Sequence, residues 1–363
     1  MDVGIPVELH AHEYRVGLTP QGVSLLTQAG HRCYVQRGAG EGAGFQDGDY
    51  ERAGARIVYA AEEVFSRAHL VLKVGSLTPE EMELVSEGQT VCAFWHLPAR
   101  PRALTEALLE KRITAVAYET IQSDDGALPV LRPLSQIAGR MSPQVAARWL
   151  QNDGGGSGVL ISGLAGIPPI NVCIIGAGVV GVNAAQAFLG LGARVFILDA
   201  DMERLQYIDE RFAGHIVTMV AYDFNIARVV RFAHVLVGAV LQPGARAPIL
   251  VTREMVRSMR PRSVIMDISI DQGGCVETSR PTTHADPVYI EEGVIHYCVP
   301  NMPGVVARTS THAYLNAAWP FIQQLANKGT EAALADDSAL RRGVAVHNGR
   351  IYNKNLAMLL EEA

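Results

Sequence analysis

Gly176, Gly178 and Gly181 stand in the run VCIIGAGVVGVNAA as G-x-G-x-x-G, between a segment that reads as a strand (171–175) and one that reads as a helix (179–191). The first glycine suits a tight turn, the second lets backbone come close to a pyrophosphate, and the third lets the helix pack on the strand. Val179 and Val180 open the helix, whose unpaired N–H groups and partial positive charge face the phosphates. Asp199 ends the next strand, 18 residues past Gly181. A carboxylate there accepts from ribose hydroxyls and repels a 2′-phosphate, so this cluster calls for NAD(H). Arg204 is placed to reach the ribose or a phosphate, or equally to lie solvated on the helix surface.

A second chemical group stands in the first third of the chain. His96, in FWHLPA, directly follows a predicted strand, at the strand end where α/β sites gather. An imidazole there can take up and hand on a proton. His10 and His12, with Glu8 and Glu13, have metal-ligating types but read as a solvated loop, and no metal site is expected. The P-loop, the G-x-S-x-G elbow and H-E-x-x-H are all missing from the sequence.

These groups need a scaffold. The chain has 363 residues, two domains at about 150 residues each. Apolar residues make up 48% and charged ones 19%, enough for a large core, which excludes disorder. The net charge of −6 does not favour nucleic acid, which asks for clustered positive charge. Five scattered cysteines, none in C-x-x-C, read as free thiols, and those at 92, 173 and 298 lie in buried strands. Residues 154–193 carry no Asp, Glu, Lys or Arg, but glycine and Pro168-Pro169 break the run, so a buried strand and helix are expected rather than a membrane span. The N-terminal segment has no signal-peptide pattern, and a cytoplasmic location is expected.

Strand-like and helical stretches alternate, which predicts βαβ units with mostly parallel sheets. Strands are expected at 3–7, 33–36, 56–59, 70–74, 90–94 and 113–117. Thr19 reads as an N-cap with Pro20 at N1 and Gly30 closing the helix. A helix over 137–151 leads into NDGGGSG, read as a flexible loop. The second series runs 171–175, 194–198, 215–220, 234–238 and 263–267, with helices at 179–191, 202–212 and 252–259. A helix over 313–327 carries a tail that is expected to pack back on the first domain. The predicted architecture is α/β with two domains. One is a Rossmann-type, doubly wound NAD-binding domain (131–304); the other is a discontinuous α/β substrate domain (1–130 and 305–363). No internal repeat is visible.

EYRVGLTPQGV, AYETIQ, PLSQIAGRM, GAVLQPGARAPILVT, DISIDQGGCVETSRPTTH and HYCVPNMPGVVARTST together resemble the alanine dehydrogenase / pyridine nucleotide transhydrogenase family, over nearly the whole chain. The resemblance implies a cytoplasmic homohexamer that interconverts L-alanine with pyruvate and ammonia using NAD. It matches Arg15 to the arginine that holds the substrate carboxylate, for which a guanidinium fork is suited. It matches His96 to the catalytic histidine. Asp271 matches the aspartate beside the nicotinamide that orients water or ammonia, with Asp267 as the competing carboxylate. Ser135, Val240, Leu241, Ile268, Val299, Pro300, Asn301 and Met302 match cofactor-lining positions.

The chain departs from the family pattern mainly at one point, with smaller departures at Pro300, His312 and Tyr314. Where the family reads L-K-V-K-E-P, this chain reads L-K-V-G-S-L, keeping Lys73 but placing Gly75 at the lysine that contacts substrate. Strand alternation puts residues 73 and 75 on one face, so Lys73 is the candidate substitute if the strand end shifts or its stem reaches around, and otherwise a buried or rim structural residue. The exchange to glycine also opens volume. An alternative reading is therefore a relative acting on a larger amino acid or 2-oxo acid, or an imine-reducing enzyme of the carboxyethyl-amino-acid synthase kind.

Overall fold

The computed structural model describes residues 1–242 and 245–361. Pro243 and Gly244, inside the 238–252 motif, and the tail residues 362–363 lie outside the described residues. In chain order the first elements are β1 (Asp2–Ile5), α1 (Pro20–Gln28), β2 (Arg32–Gln36), α2 (Asp47–Arg52), β3 (Arg56–Val58), α3 (Ala61–Arg67), β4 (Leu70–Gly75), α4 (Pro79–Leu84), β5 (Thr90–Phe94), α5 (Arg102–Glu110) and β6 (Thr114–Ala117). Next come α6 (Leu131–Leu150), β7 (Asn171–Ile175), α7 (Val179–Gly190), β8 (Arg194–Asp199), α8 (Met202–Arg211), β9 (Val217–Val220), α9 (Asp223–Val230), β10 (Val235–Gly238), α10 (Arg253–Arg257) and β11 (Val264–Asp267). The rest are β12 (Val288–Glu291), β13 (Val294–Tyr297), α11 (Ala307–Lys328), α12 (Thr330–Asp336), α13 (Ser338–Arg342), β14 (Val344–His347), β15 (Arg350–Ile351) and α14 (Lys354–Glu361).

The chain divides into two compact units, Met1–Leu134 with Pro303–Ala363, and Ser135–Met302. Each is built on one sheet. In the first unit the order is β15-β14-β6-β5-β4-β1-β2-β3, parallel from β3 to β6, with β14 and β15 added antiparallel. In the second it is β12-β13-β11-β10-β7-β8-β9, parallel except for β12. Each sheet is laid down outward from its first strand and then resumes on that strand's other side. This leaves a crevice at the strand ends between β1 and β4, and between β7 and β10, where α/β proteins place ligands. Both units thus share one winding pattern, although the sequence shows no repeat.

Alternation along β7 explains the double cover of its sheet. Val172 and Ile174 belong to the apolar layer containing Phe188 and Val195, whereas Cys173 and Ile175 belong to the layer containing Leu236 and Val251. All five cysteines are buried free thiols. No helix among the described residues is long and apolar enough to cross a membrane.

Local chemistry sets the helix starts. Thr19 Oγ1 accepts from Gly22 N at 3.2 Å, with Pro20 at the first helical position. Three expectations need correction. α6 starts at Leu131 rather than 137, because Pro133 falls in the first turn, where its missing N–H costs nothing. The glycine-rich run 152–158, expected as a flexible loop, closes α6 through Gly156 N to Gln151 O at 2.9 Å and Gly158 N to Leu150 O at 2.8 Å. α9 and the β12–β13 hairpin stand where no element was expected.

Candidate active site

The glycine turn of the second unit fits a dinucleotide by three separate steric tests. Gly176 sits at φ +104°, and a Cβ there would lie 2.4 Å from Ala239 O. A Cβ on Gly181 would lie 1.8 Å from Gly176 O, so the third glycine is what allows α7 to close on the turn. Gly178, the N-cap of α7, has nothing within 4 Å of a built Cβ, and the approach to the first helical turn is open. Asp199 binds this turn directly: Oδ2 accepts from Ala177 N at 2.6 Å and Oδ1 from Asp201 N at 2.9 Å. Arg204, half exposed, stands 3.7 Å from Asp199 and 3.3 Å from Asp201. Ser135 lies on α6, one turn before Gly139, where a Cβ would come within 2.5 Å of Val180 O in the first turn of α7. Val179 and Val180 form that turn.

The carboxylates that follow β11 separate by burial. Asp267 is almost wholly buried, and its oxygens accept from Ser269 N at 3.1 Å, Cys275 N at 2.9 Å and Val276 N at 3.1 Å. Burial pushes its pKa up against those bonds. Asp267 therefore ties the 267–276 loop together. Asp271 is half-buried, and its Oδ1 accepts from Asn301 N at 3.0 Å, which draws the 299–302 segment to it. Asn301 holds φ +54°, the residue after Pro300. Ser269 was not singled out in the sequence: its hydroxyl lies 2.9 Å from both Val240 N and Val240 O and holds that strand end. Leu241 is exposed, whereas Val299 and Met302 are core residues and Ile268 packs beside them.

In the first unit the chemistry gathers at the heads of β4, β5 and β6. Arg15, which an isolated loop would leave solvated, is buried and paired with Glu13 through Nε to Oε1 at 2.7 Å and Nη2 to Oε2 at 2.5 Å. Its guanidinium stands 6.0 Å from the centre of the Phe94 ring. The His96 ring stacks on Phe94 at 6.4 Å and 17°. Tyr118 and Tyr314 close the aromatic floor, 5.4 and 5.7 Å from Phe94. His96 is held at φ +46°, and Glu119 fixes that turn: its carboxylate accepts from His96 N at 2.6 Å and Trp95 N at 3.2 Å. The sequence placed Glu119 after a strand without a role. Its role needs the β5–β6 register, which pairs Ala93 with Ala117 and sets Glu119 against the end of β5.

Lys73 does not reach this crevice as a spare cation. Its side chain is wholly buried, with Nζ 2.6 Å from Glu81 Oε1 and 3.1 Å from Glu8 Oε2. Burial pulls its pKa down, but the two carboxylates outweigh that and hold it above the ordinary value. The register between β4 and β5 slips between Leu72 and Gly75, so the alternation that would put residues 73 and 75 on one face is broken. Nor does Gly75 leave an open space. A Cβ there would lie 2.6 Å from His10 Cδ2. The loop expected to be solvated turns both carboxylates inward, Glu8 to Lys73 and Glu13 to Arg15. No group able to hold a metal occurs among the described residues.

The profile of the alanine dehydrogenase/PNT N-terminal domain matches residues 4–138, and that of the C-terminal domain matches 142–354. Alanine dehydrogenases of Halomonas elongata and Methanococcus maripaludis are each 48% identical, covering 98% of this chain and 96% of theirs. A solved L-alanine dehydrogenase superposes with TM-score 0.93 at 44% identity, covering 100% of this chain and 99% of that one. A transhydrogenase from Sinorhizobium meliloti shares the fold, with TM-score 0.81 at 24% identity.

Proposed function

The chain belongs to the alanine dehydrogenase/PNT family, and from that premise we propose that it is an NAD-dependent L-alanine dehydrogenase, an oxidoreductase that interconverts L-alanine and water with pyruvate and ammonia. The observation that carries the reading is the pair of groups set against Phe94: a buried guanidinium and an imidazole on a strained strand-end turn. One suits a carboxylate, the other a neighbouring carbonyl or hydroxyl oxygen.

Arg15 binds the substrate carboxylate. His96 hydrogen-bonds the oxygen on the adjacent carbon and gives it a proton, or takes one, as that oxygen is lost or formed. Asp271 orients the water or ammonia that adds to this carbon. Gly176, Gly178, Gly181 and the N-terminus of α7 would hold the pyrophosphate of NAD, and Asp199 with Arg204 the adenosine ribose. Ser135, Val240, Leu241, Ile268 and the 299–302 segment would line the remainder. When bound, the nicotinamide supplies hydride to the substrate carbon or takes it away. The same reading makes 131–304 the cofactor domain and 1–130 with 305–363 the substrate domain of a cytoplasmic homohexamer, acting on small molecules and not on nucleic acid. His10 fills the space at Gly75, which removes the volume argument for a larger amine or 2-oxo acid.

The test is NADH oxidation by the purified protein with pyruvate and ammonium, followed by a panel of longer 2-oxo acids and amines. Turnover on pyruvate and ammonium above the rest of the panel supports the assignment. NADH binding without that turnover overturns it. Light scattering of the eluting protein checks the hexamer.

A further inference from the structure

We propose that His10 is a specificity-determining residue of the substrate crevice, standing in for a side chain at position 75 and presenting one imidazole nitrogen to the 2-oxo acid. The inference rests on the dehydrogenase reading above. Three observations carry it. First, His10 and position 75 compete for one space, since a Cβ on Gly75 would meet His10 Cδ2 at 2.6 Å and Nε2 at 3.4 Å. Second, that space adjoins the substrate groups: Gly75 pairs in register with Phe94, whose ring lies against both Arg15 and His96. It also lies at the β1–β4 switch point of the sheet, the place where such folds bind ligands.

Third, the ring is oriented. His10 Nε2 lies 2.7 Å from Ser76 O, a backbone acceptor, so Nε2 carries the hydrogen and donates it. Ser76 Oγ, at 3.5 Å, is a distant second contact. Nδ1 then points away from that anchor, and because a 2-oxo acid offers only acceptor oxygens, it makes the contact as an N–H donor of the charged ring. The ring is half-buried and Nδ1 has no hydrogen-bond partner among the described residues. The neighbouring charges are committed elsewhere: Glu8 accepts from Val74 N at 2.6 Å and Gly75 N at 3.2 Å and pairs with Lys73, which also pairs with Glu81. Beside these committed charges His10 keeps a polar atom, Nδ1, that no described residue engages.

The test is a double-mutant cycle on the full-length protein: His10→Ala, Gly75→Lys and the two combined, with kcat and KM for pyruvate in the presence of ammonium and NADH. His10→Ala is expected to raise KM for pyruvate by about tenfold, the loss of one hydrogen bond to a charged group. Gly75→Lys alone is expected to lose activity because the ring blocks the new side chain. The combined variant is expected to exceed both single variants, since removing the ring admits the lysine. His10→Asn, which keeps a donor for Ser76 O, separates anchoring from contact and should stay as weak as His10→Ala. Melting curves and NADH titrations show that each variant is folded and binds cofactor. The inference falls if His10→Ala leaves kcat and KM within twofold, or if Gly75→Lys alone matches the combined variant. Should the wild type bind NADH but not turn over pyruvate with ammonium, the dehydrogenase reading fails. The inference is then judged by pyruvate binding to the NADH-loaded protein: weaker binding in His10→Ala sustains it, and equal or undetectable binding ends it.

Discussion

Replacing Glu119 by alanine should disable His96 without touching it. Glu119 is buried, and its carboxylate accepts the backbone N–H groups of Trp95 and His96 at 3.2 and 2.6 Å. Each bond to a charged acceptor contributes about 1.5–3 kcal/mol, and a buried donor left unpaired costs a similar amount. Because the two share one carboxylate, their loss together costs about 3 kcal/mol. His96 adds to the strain, since a left-handed turn at φ +46° costs a non-glycine residue about 1–2 kcal/mol. Such a conformation persists only while its surroundings hold it. Without Glu119 the turn relaxes, and the imidazole is misplaced for most of the time.

The expected result is a melting temperature lower by about 6–12 °C, at about 2–4 °C per kcal/mol for a unit of this size. A fall in kcat of at least about tenfold should accompany it, each decade being about 1.4 kcal/mol of lost positioning. The NADH dissociation constant should not change, because the glycine turn belongs to the other unit. His96→Gly is the matched control. Glycine adopts the left-handed turn without steric cost, so that variant should be as stable as the wild type or slightly more so while losing activity. The reasoning fails if Glu119→Ala keeps kcat within twofold, or if His96→Gly melts well below the wild type.

Gly178→Ala should melt like the wild type yet bind NADH at least tenfold more weakly in a fluorescence titration, because its Cβ enters open space where the phosphates would lie. Gly181→Ala should instead be destabilised by several kcal/mol in a denaturant melt, since its Cβ meets Gly176 O at 1.8 Å. Asp267→Asn should cost about 2–3 kcal/mol of stability by loosening the 267–276 loop, whereas Asp271→Asn should leave the melt unchanged and lower kcat; equal melts would refute the division of roles. Lys73 has a folded-state pKa above its ordinary 10.5. The stability its charge supplies is therefore complete below 10.5 and lost as pH rises through the raised value. Lys73→Met, which strands two buried carboxylates, should lower stability by about 3–5 kcal/mol at pH 7 and flatten that alkaline loss; unfolding measured from about pH 9 to 12 checks it.

What could be read from the sequence was what one segment decides for itself. The strands at 90–94 and 171–175, the cap at Thr19 and the glycine turn depend on local apolar runs, turn chemistry and spacing, and they stand as expected. Glu119, Ser269 and His10 were not readable as functional, because each acts on a backbone atom or a gap supplied by a distant strand. Lys73 was left between a substrate contact and a buried structural role for the same reason. Strand period two placed it beside Gly75, but a register slip that only β5 reveals turned it to Glu8 and Glu81.

The common winding of the two sheets explains where the chemistry lies. In a sheet laid down to one side and then the other, the two chain segments that leave the switch point diverge, and their strand-end backbone must find partners outside the sheet. In the second unit the turn that leaves β7 is held by Asp199 at the end of β8, the strand on the other side of β7 from the gap. In the first the holding group is Glu8, bonded to the end of β4, with His10 two residues on. A carboxylate holds the departing backbone in both, but nothing stands within 4 Å of a Cβ built on Gly178, whereas His10 fills the space at Gly75. The first unit must instead fill its gap with a side chain, and whichever side chain fills it, whether carried by β4 or by the loop after β1, meets the ligand first. That makes positions 10 and 75 interchangeable hosts for a single contact, and it explains how a glycine at the head of β4 is compatible with the family's chemistry.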